Sequence, residues 1–525
     1  MTDTQPALIN ALLQGKGFDH PVEAVRLIET HISWVLLTGQ FAYKIKKPVD
    51  FGFLDFSTLE KRHFCCEEEL RLNRRLAPNI YLAVLAIHGS AENPCFEGEG
   101  EAIEYAVKMQ QFPQQAQLDR MLLAGKLTPA EIDAIADMIA GFHQVVAVAD
   151  PASHFGDSEH VFQPVVENFS QIRDRLPDEQ CNKTIQTIEE WSLAAFTQLT
   201  AVFTQRKQQG FIRECHGDMH LRNLAWIHDA PIAFDCIEFN PDLRWIDVIS
   251  EIAFLVMDLQ ERGQSAFANR FLNDYLEHTG DYAGLAVLKF YLVYRAMVRA
   301  KVDIIRATQQ GIDTAEQKAA MQDFNAYLQL AQQYIHPQRP VLIITRGMSG
   351  SGKSTLTRPL LEQLGAIRIR SDVERKRLFQ VQPQHNAGSG IETGIYSATA
   401  TSQTYQQLAS LAAGILAAGQ NVIVDATFAR AEQRQLFAEL AGQKKVAYII
   451  LEFTAAADTL RQRIRARTQD VSDANLEVLE HQLSVWQPLD PDEQAACVQI
   501  DTEAAFDVEH IIATIGQIQT LYTPL

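Results

Sequence analysis

One stretch of this 525-residue chain leaves its surroundings little freedom in how to fold. Gly347-Met348-Ser349-Gly350-Ser351-Gly352-Lys353-Ser354 stands between the apolar run Val341-Leu342-Ile343-Ile344 and a helical pattern. In the order strand, glycine-rich turn, helix, the backbone can curl until successive N–H groups and a helix N-terminus face one point. That point suits phosphate oxygens, and Lys353 adds a mobile cation. Gly347, Ser349, Gly350, Ser351, Gly352, Lys353, Ser354 and Thr355 are therefore candidate nucleotide-binding residues, with Ser354 also a ligand for magnesium. The bland alternative is a glycine-rich turn that binds nothing; the strand, the lysine and the hydroxyl together weigh against it.

Beyond the loop, short strands, Asn421 to Val424 and Val446 to Phe453, alternate with helices, an order that predicts a parallel sheet covered on both faces. Asp372, in Ile369-Arg370-Ser371-Asp372, closes one strand at the edge where ligands of open α/β folds sit. It is the candidate base for an acceptor hydroxyl. Asp425 ends another strand and suits a magnesium ion or its water shell. Either aspartate could instead cap the helix after it. Further on, Arg461, Arg463, Arg465 and Arg467 crowd one stretch, and Arg463 and Arg467 share a helix face from which both could meet a transferring phosphoryl group. A solvated basic face is the alternative. This segment, about residues 341 to 500, resembles the small-substrate P-loop kinases that include gluconate kinase, polynucleotide 5'-kinase and zeta-type toxin kinases. The resemblance rests on the phosphate loop, Arg370-Ser371-Asp372, Val424-Asp425-Ala426-Thr427 and the arginine-rich lid followed by Ser472-Asp473-Ala474. It implies a P-loop NTPase fold and phosphoryl transfer from ATP to a hydroxyl.

A chain of this length exceeds what one hydrophobic core usually organises. The clearest boundary is His336-Pro337-Gln338-Arg339-Pro340, where two prolines stop a helical pattern and hold an extended connection. The expected domains are residues 1–335, the linker 336–340 and residues 341–525. Before the linker, short strands (Val22 to Glu29, Trp34 to Thr38, Phe41 to Lys46, Tyr81 to Ile87, Ile103 to Met109) surround a helix from Thr58 to Leu76, and helices dominate from Thr128. This is an α+β pattern, with a β lobe at about 20–110 and a helical lobe at about 111–335.

Within it stands His216-Gly217-Asp218-Met219-His220-Leu221-Arg222-Asn223. A loop of that length can aim the Asp218 carboxylate at an acceptor hydroxyl while the Asn223 amide turns back to a metal ion, the spacing of protein-kinase loops. Twelve residues past Asn223, Asp235 occupies the place of a second metal ligand. The alternative is a turn in which Asp218 caps and Asn223 is one more polar residue. The segment from about 20 to 330 resembles the aminoglycoside phosphotransferase family and so implies a protein-kinase-like bilobal fold. By that resemblance Lys44 holds the α and β phosphates, with Lys46 a credible substitute. A glutamate on the next helix pairs with it, Glu69 favoured over Glu68; Tyr105 to Gln111 is the hinge strand that receives adenine; Ala140-Gly141-Phe142-His143 packs under the catalytic loop. Thr30-His31-Ile32-Ser33 has no glycine, so the phosphate cover of protein kinases is absent, a departure that favours the antibiotic-kinase pattern.

The 46 Lys and Arg against 65 Asp and Glu give a charge of -19, which disfavours a nonspecific duplex-DNA binder. Seven cysteines without a paired C-x-x-C, and a polar start without a basic-then-apolar leader, suggest a cytoplasmic protein with no membrane partner. The preferred reading is a bifunctional kinase using ATP and magnesium on hydroxyl-bearing small molecules, or on a nucleotide or nucleic-acid end in the C-terminal domain. A nucleotide-sensing regulator in which only the P-loop domain is catalytic, and an aminoglycoside-resistance enzyme, are the competing readings.

Overall fold

The computed structural model describes residues 5–52, 54–96, 98–176, 179–309, 312–381, 394–466 and 476–521. The chain forms two compact units, one of residues 1–170 and 200–258, the other of residues 171–199 and 259–525.

The first unit is built on an antiparallel sheet of β1 (Arg26–Glu29), β2 (Ser33–Leu37), β3 (Phe41–Lys46), β4 (Tyr81–Gly89), β5 (Pro94–Cys95) and β6 (Glu104–Gln110), in the order β1-β2-β3-β6-β4-β5. The helix Leu59–Asn73 starts where Thr58 accepts a hydrogen bond from the Lys61 N–H, and it packs Cys66 and Leu70 beside Tyr81 and Val107. The chain also opens with a helix, Gln5–Leu13, that the polar start of the sequence does not announce. Leu8, Ile9 and Leu12 share one face and bury against Leu36, Tyr43 and Ile45. The capping box of Thr128 and Glu131 starts the helix Pro129–Val145. Beyond it β7 (Ile212–Glu214) pairs with β10 (Trp245–Asp247), and β8 (Leu224–Ile227) forms a hairpin with β9 (Ala230–Ala233). Asp247 then anchors the start of the helix Val248–Glu261, accepting from the Ile249 N–H at 2.9 Å and pairing with Arg206 at 2.6 Å.

The second unit holds a parallel sheet of β11 (Val341–Arg346), β12 (Ala366–Arg370), β13 (Asn421–Asp425), β14 (Ala447–Thr454) and β15 (Cys497–Asp501), in the order β12-β13-β11-β14-β15. All six residues of β11 are buried, as the unbroken apolar run requires of a central strand covered on both faces. Val341, Ile343, Ile423, Ile449 and Leu451 make one layer with Leu360, Leu361 and Ile515 from the helices Lys353–Leu364 and Val508–Leu521. The same unit contains the helices Ser265–Thr279, Leu285–Ala307 and Thr314–Ile335. Arg295 is buried in the second of these, its guanidinium over the Tyr294 ring. No described helix is long and apolar enough to cross a membrane. Cys65, Cys66, Cys95, Cys215, Cys236 and Cys497 are free thiols.

Candidate active sites

Lys44 and Lys46 stand two residues apart on β3 and so share one face. Lys44 Nζ donates to Glu69 Oε1 at 2.8 Å and to Asp235 Oδ1 at 2.6 Å. Lys46 Nζ donates to Glu69 Oε2 at 2.7 Å and pairs with Glu238. Glu69 is wholly buried between the two, whereas Glu68 turns to Arg71 and Arg244. Burial works against the Glu69 charge, but Lys44 and Lys46 outweigh it and hold the carboxyl well below the usual range. Glu238 is pushed up by burial, and the nearby Glu69 charge adds to the rise.

Asp218 and Asn223 meet as their spacing requires: Asn223 Nδ2 donates to Asp218 Oδ2 at 2.8 Å and to its carbonyl at 3.0 Å. Asp235 follows β9 in a left-handed conformation, φ 64°, with its side chain half exposed. That geometry costs an L-residue about 1 kcal/mol. Its neighbours impose it: the Asp235 N–H donates to Tyr81 Oη at 3.1 Å and the Cys236 N–H to Asn73 Oδ1 at 2.9 Å.

The loop itself is held by residues that sequence reasoning did not single out. Glu251, fully buried on the helix Val248–Glu261, accepts from the His216 N–H at 2.9 Å and the Gly217 N–H at 2.7 Å, and contacts His143 Nε2 at 3.3 Å. Two turns on, Asp258 accepts from the Leu221 N–H at 2.9 Å. Burial would raise the Glu251 carboxyl, but these bonds keep it at about 2. The His216 ring accepts from the Asp218 N–H at Nδ1 and faces the Phe234 carbonyl with Nε2, the pattern of a neutral imidazole, and burial lowers its pKa. His143, Cys215 and Glu251 lie close enough to share a cation, yet both Glu251 oxygens already receive the loop's N–H groups. The cluster is a hydrogen-bonding hub. Through Glu251 it also links His143, from Ala140-Gly141-Phe142-His143, to the His216–Asn223 loop.

In the second unit the phosphate loop joins β11 to the helix Lys353–Leu364. A Cβ at Gly347 would come within 2.6 Å of Ser351 Oγ and 2.8 Å of the Phe453 carbonyl, so only glycine lets the loop pass. Lys353 Nζ donates to the carbonyls of Gly347 and Met348 at 2.7 and 2.9 Å. Beside it opens a cavity of about 690 Å³ walled by Ser349, Lys353, Ser354 and Thr355, by Asp372 in the first turn of the helix Ser371–Leu378, and by Asp425. Asp425 is buried at the end of β13, and its Oδ2 has no hydrogen-bond partner. An orphan carboxylate oxygen and a serine hydroxyl on residues of one cavity wall are hard-oxygen donors of the kind magnesium takes, so Ser354 and Asp425 fit the ion. Asp235 and Asn223 offer the same chemistry in the first unit.

Arg375, one turn after Asp372, is 7% exposed. It bonds the Ile395 carbonyl at 2.7 Å and Thr401 Oγ1 at 3.3 Å and sits over the Tyr396 ring; the residue lines the cavity, while its Nε is buried without a partner. The i, i+3 spacing from Asp372 was the available sequence signal for it. Gln482, on the helix Leu476–Val485, receives the Ser349 N–H at 2.8 Å. Arg463 bonds Thr502 Oγ1 and the Thr502 carbonyl, both at 2.8 Å, and is not among the residues walling the cavity. Arg467 and Ser472-Asp473-Ala474 lie outside the described residues.

Two family models match the chain: the phosphotransferase enzyme family over residues 65–290 and an AAA domain over residues 342–489. An uncharacterized protein of Mycobacterium tuberculosis is 31% identical over 460 residues, which cover 88% of this chain and 89% of that protein; one of Mycobacterium bovis gives the same values. Among solved structures, the amicoumacin kinase hAmiN aligns at 16% identity over 62% of this chain and 93% of its own, TM-score 0.39. A sugar kinase from Janibacter sp. HTCC2649 aligns at 17% identity over 35% of this chain and 99% of its own, TM-score 0.28. Fold, motifs and family matches together define a fusion of an aminoglycoside-phosphotransferase-like segment with a P-loop kinase-like segment. Within that class, the chain belongs to the family of the two mycobacterial proteins, which share nearly its whole length.

Proposed function

We propose that the chain is a bifunctional ATP-dependent phosphotransferase, each unit transferring the γ-phosphoryl group of Mg-ATP to an alcohol. The observation that carries the reading is that each unit gathers a lysine and carboxylates in the pattern phosphoryl transfer needs. In the first, Lys44 pairs with Asp235 at 2.6 Å and the His216 ring feels the charge of both Asp218 and Asp235; in the second, Lys353, Asp372 and Asp425 wall one cavity. The acceptor oxygen forms a bond to the γ phosphorus as the bond to the bridging oxygen breaks. The acceptor proton passes to Asp218 in one centre and to Asp372 in the other. Lys44, steadied by Glu69, holds the α and β phosphates; Lys353 and the loop N–H groups do the same for the β and γ phosphates. When bound, the ion neutralises charge developing on the leaving phosphate oxygens.

The acceptors are hydroxyl-bearing small molecules. For the second centre the buried guanidinium of Arg375 favours one that also carries a carboxylate or phosphate, which includes the end of a nucleotide. A cytoplasmic location goes with the free thiols. Labelled-ATP turnover by the intact chain across a panel of sugars, sugar acids and nucleotides, repeated with Asp218→Asn and Lys353→Ala, tests the reading. Each variant should abolish transfer to one set of acceptors and spare the other. Loss in Lys353→Ala alone would favour the competing reading in which the first unit is a nucleotide sensor, to which its glycine-free β1–β2 turn lends weight.

A further inference from the structure

The helix Ser265–Thr279 lies inside the stretch matched by the phosphotransferase family, yet its polar face packs on the sheet of the stretch matched by the AAA domain. Asn269, Arg270, Asn273, Asp274 and Glu277 recur at spacings of one to four residues and so form one stripe. Asn269 Nδ2 donates to the Glu362 carbonyl and Arg270 pairs with the Glu362 carboxylate, both at 2.7 Å; Asp274 pairs with Arg358 at 2.7 Å. β12 is an edge strand, and Asn273 takes the place of a neighbouring strand: its Nδ2 donates to the Ala366 carbonyl at 2.9 Å while its Oδ1 accepts from the Arg368 N–H at 2.7 Å.

Glu277 stands at the carboxyl end of that strand, 3.1 Å from Arg370 and 4.0 Å from Arg368. Arg370 walls the nucleotide cavity two residues before Asp372 and lies across from Asp425 in the sheet register. Arg368 is 7% exposed and donates to the Ser354 carbonyl at 2.8 Å and to Thr357 Oγ1 at 3.2 Å, gripping the first turn of the phosphate-loop helix. Burial works against the charge on Arg368; Asp425 and Glu277 are the carboxylates that oppose it.

We propose that Glu277, seconded by Asn273, is a positioning residue of the phosphate-loop centre, holding Arg368 and Arg370 so that the Ser354 turn and Asp372 keep their places. The proposal rests on Lys353 and Asp372 marking a nucleotide site. Its test is calorimetric binding of ADP with magnesium to the full chain carrying Lys44→Ala, where the isotherm reports the phosphate loop. Adding Glu277→Gln should weaken ADP about tenfold, because small displacements of positioning groups are costly. Glu277→Asp should recover most of the loss, and exchanging the charges with Glu277→Arg and Arg370→Glu should recover part of it. Unchanged affinity in Glu277→Gln, or equal losses in the Gln and Asp variants, overturns the role of Glu277. No binding at all in the Lys44→Ala chain overturns the phosphate-loop reading itself, and this inference with it.

Discussion

Asp218 and Glu251 act on one loop, the first with its side chain partly exposed and the second buried in the core. Asp218→Asn keeps the size and the Asn223 contact but removes the proton acceptor; transfer by the first centre should fall by about a hundredfold or more with ATP binding retained, as initial rates and calorimetry would read. Glu251→Gln keeps one accepting oxygen for two loop N–H groups, so unfolding of the first unit in urea should shift by about 2 kcal/mol. Acid has a related effect. Glu251 sits at about 2 in the folded chain against an ordinary 4.5, and His216 is likewise lowered from 6.5, so the unfolded chain binds more protons than the folded one as pH falls. Stability from His216 should begin to fade below about pH 6.5 and that from Glu251 below about pH 4.5, and both contributions are complete above those values. A pH series of melting curves that is flat from 7 to 4 would contradict this. The meeting of Asp218 and Asn223 was legible because a short loop fixes their spacing. Glu251 was not, because it sits in an apolar helix 35 residues from the amide it receives, and only packing brings them together.

At the scale of elements, patterning gave most strands of both sheets to within about four residues but missed the short β5 and the edge strand β15, and the double proline after Ile335 ends a helix as expected. The helix Gln5–Leu13 escaped because nine residues are too few for a helical period to show, although most of them are apolar. The choice between Glu69 and Glu68 turned on which helix face meets β3, and the side chains at Lys44 and Lys46 settle that geometry. The phosphate loop makes its own prediction. Gly347→Ala forces a methyl group against the Phe453 carbonyl, a backbone atom that cannot swing aside, so ADP affinity at that site should fall at least about tenfold, with overpacking of about 1–3 kcal/mol in the melting of the second unit. Equal ADP affinity in the alanine variant would show that the loop tolerates the added volume.

For the whole molecule, the proposed pair of nucleotide sites predicts a stoichiometry of two ADP per chain, reduced to one by either Lys44→Ala or Lys353→Ala; titration of the intact protein reads this directly. The bipartite plan was legible from two motifs and one linker. That the helices 259–335 share a compact unit with the parallel sheet was not, because the stripe on Ser265–Thr279 reads as a hydrated face until its partners on β12 and the helix Lys353–Leu364 are seen. The Asn273 clamp has an evolutionary consequence. A kinase module cut loose at the proline linker would leave the outer rim of β12 open to sticking onto copies of itself. Gene rearrangements that carry this module to a new host should therefore inherit the clamping helix along with it, or else replace it with another guard.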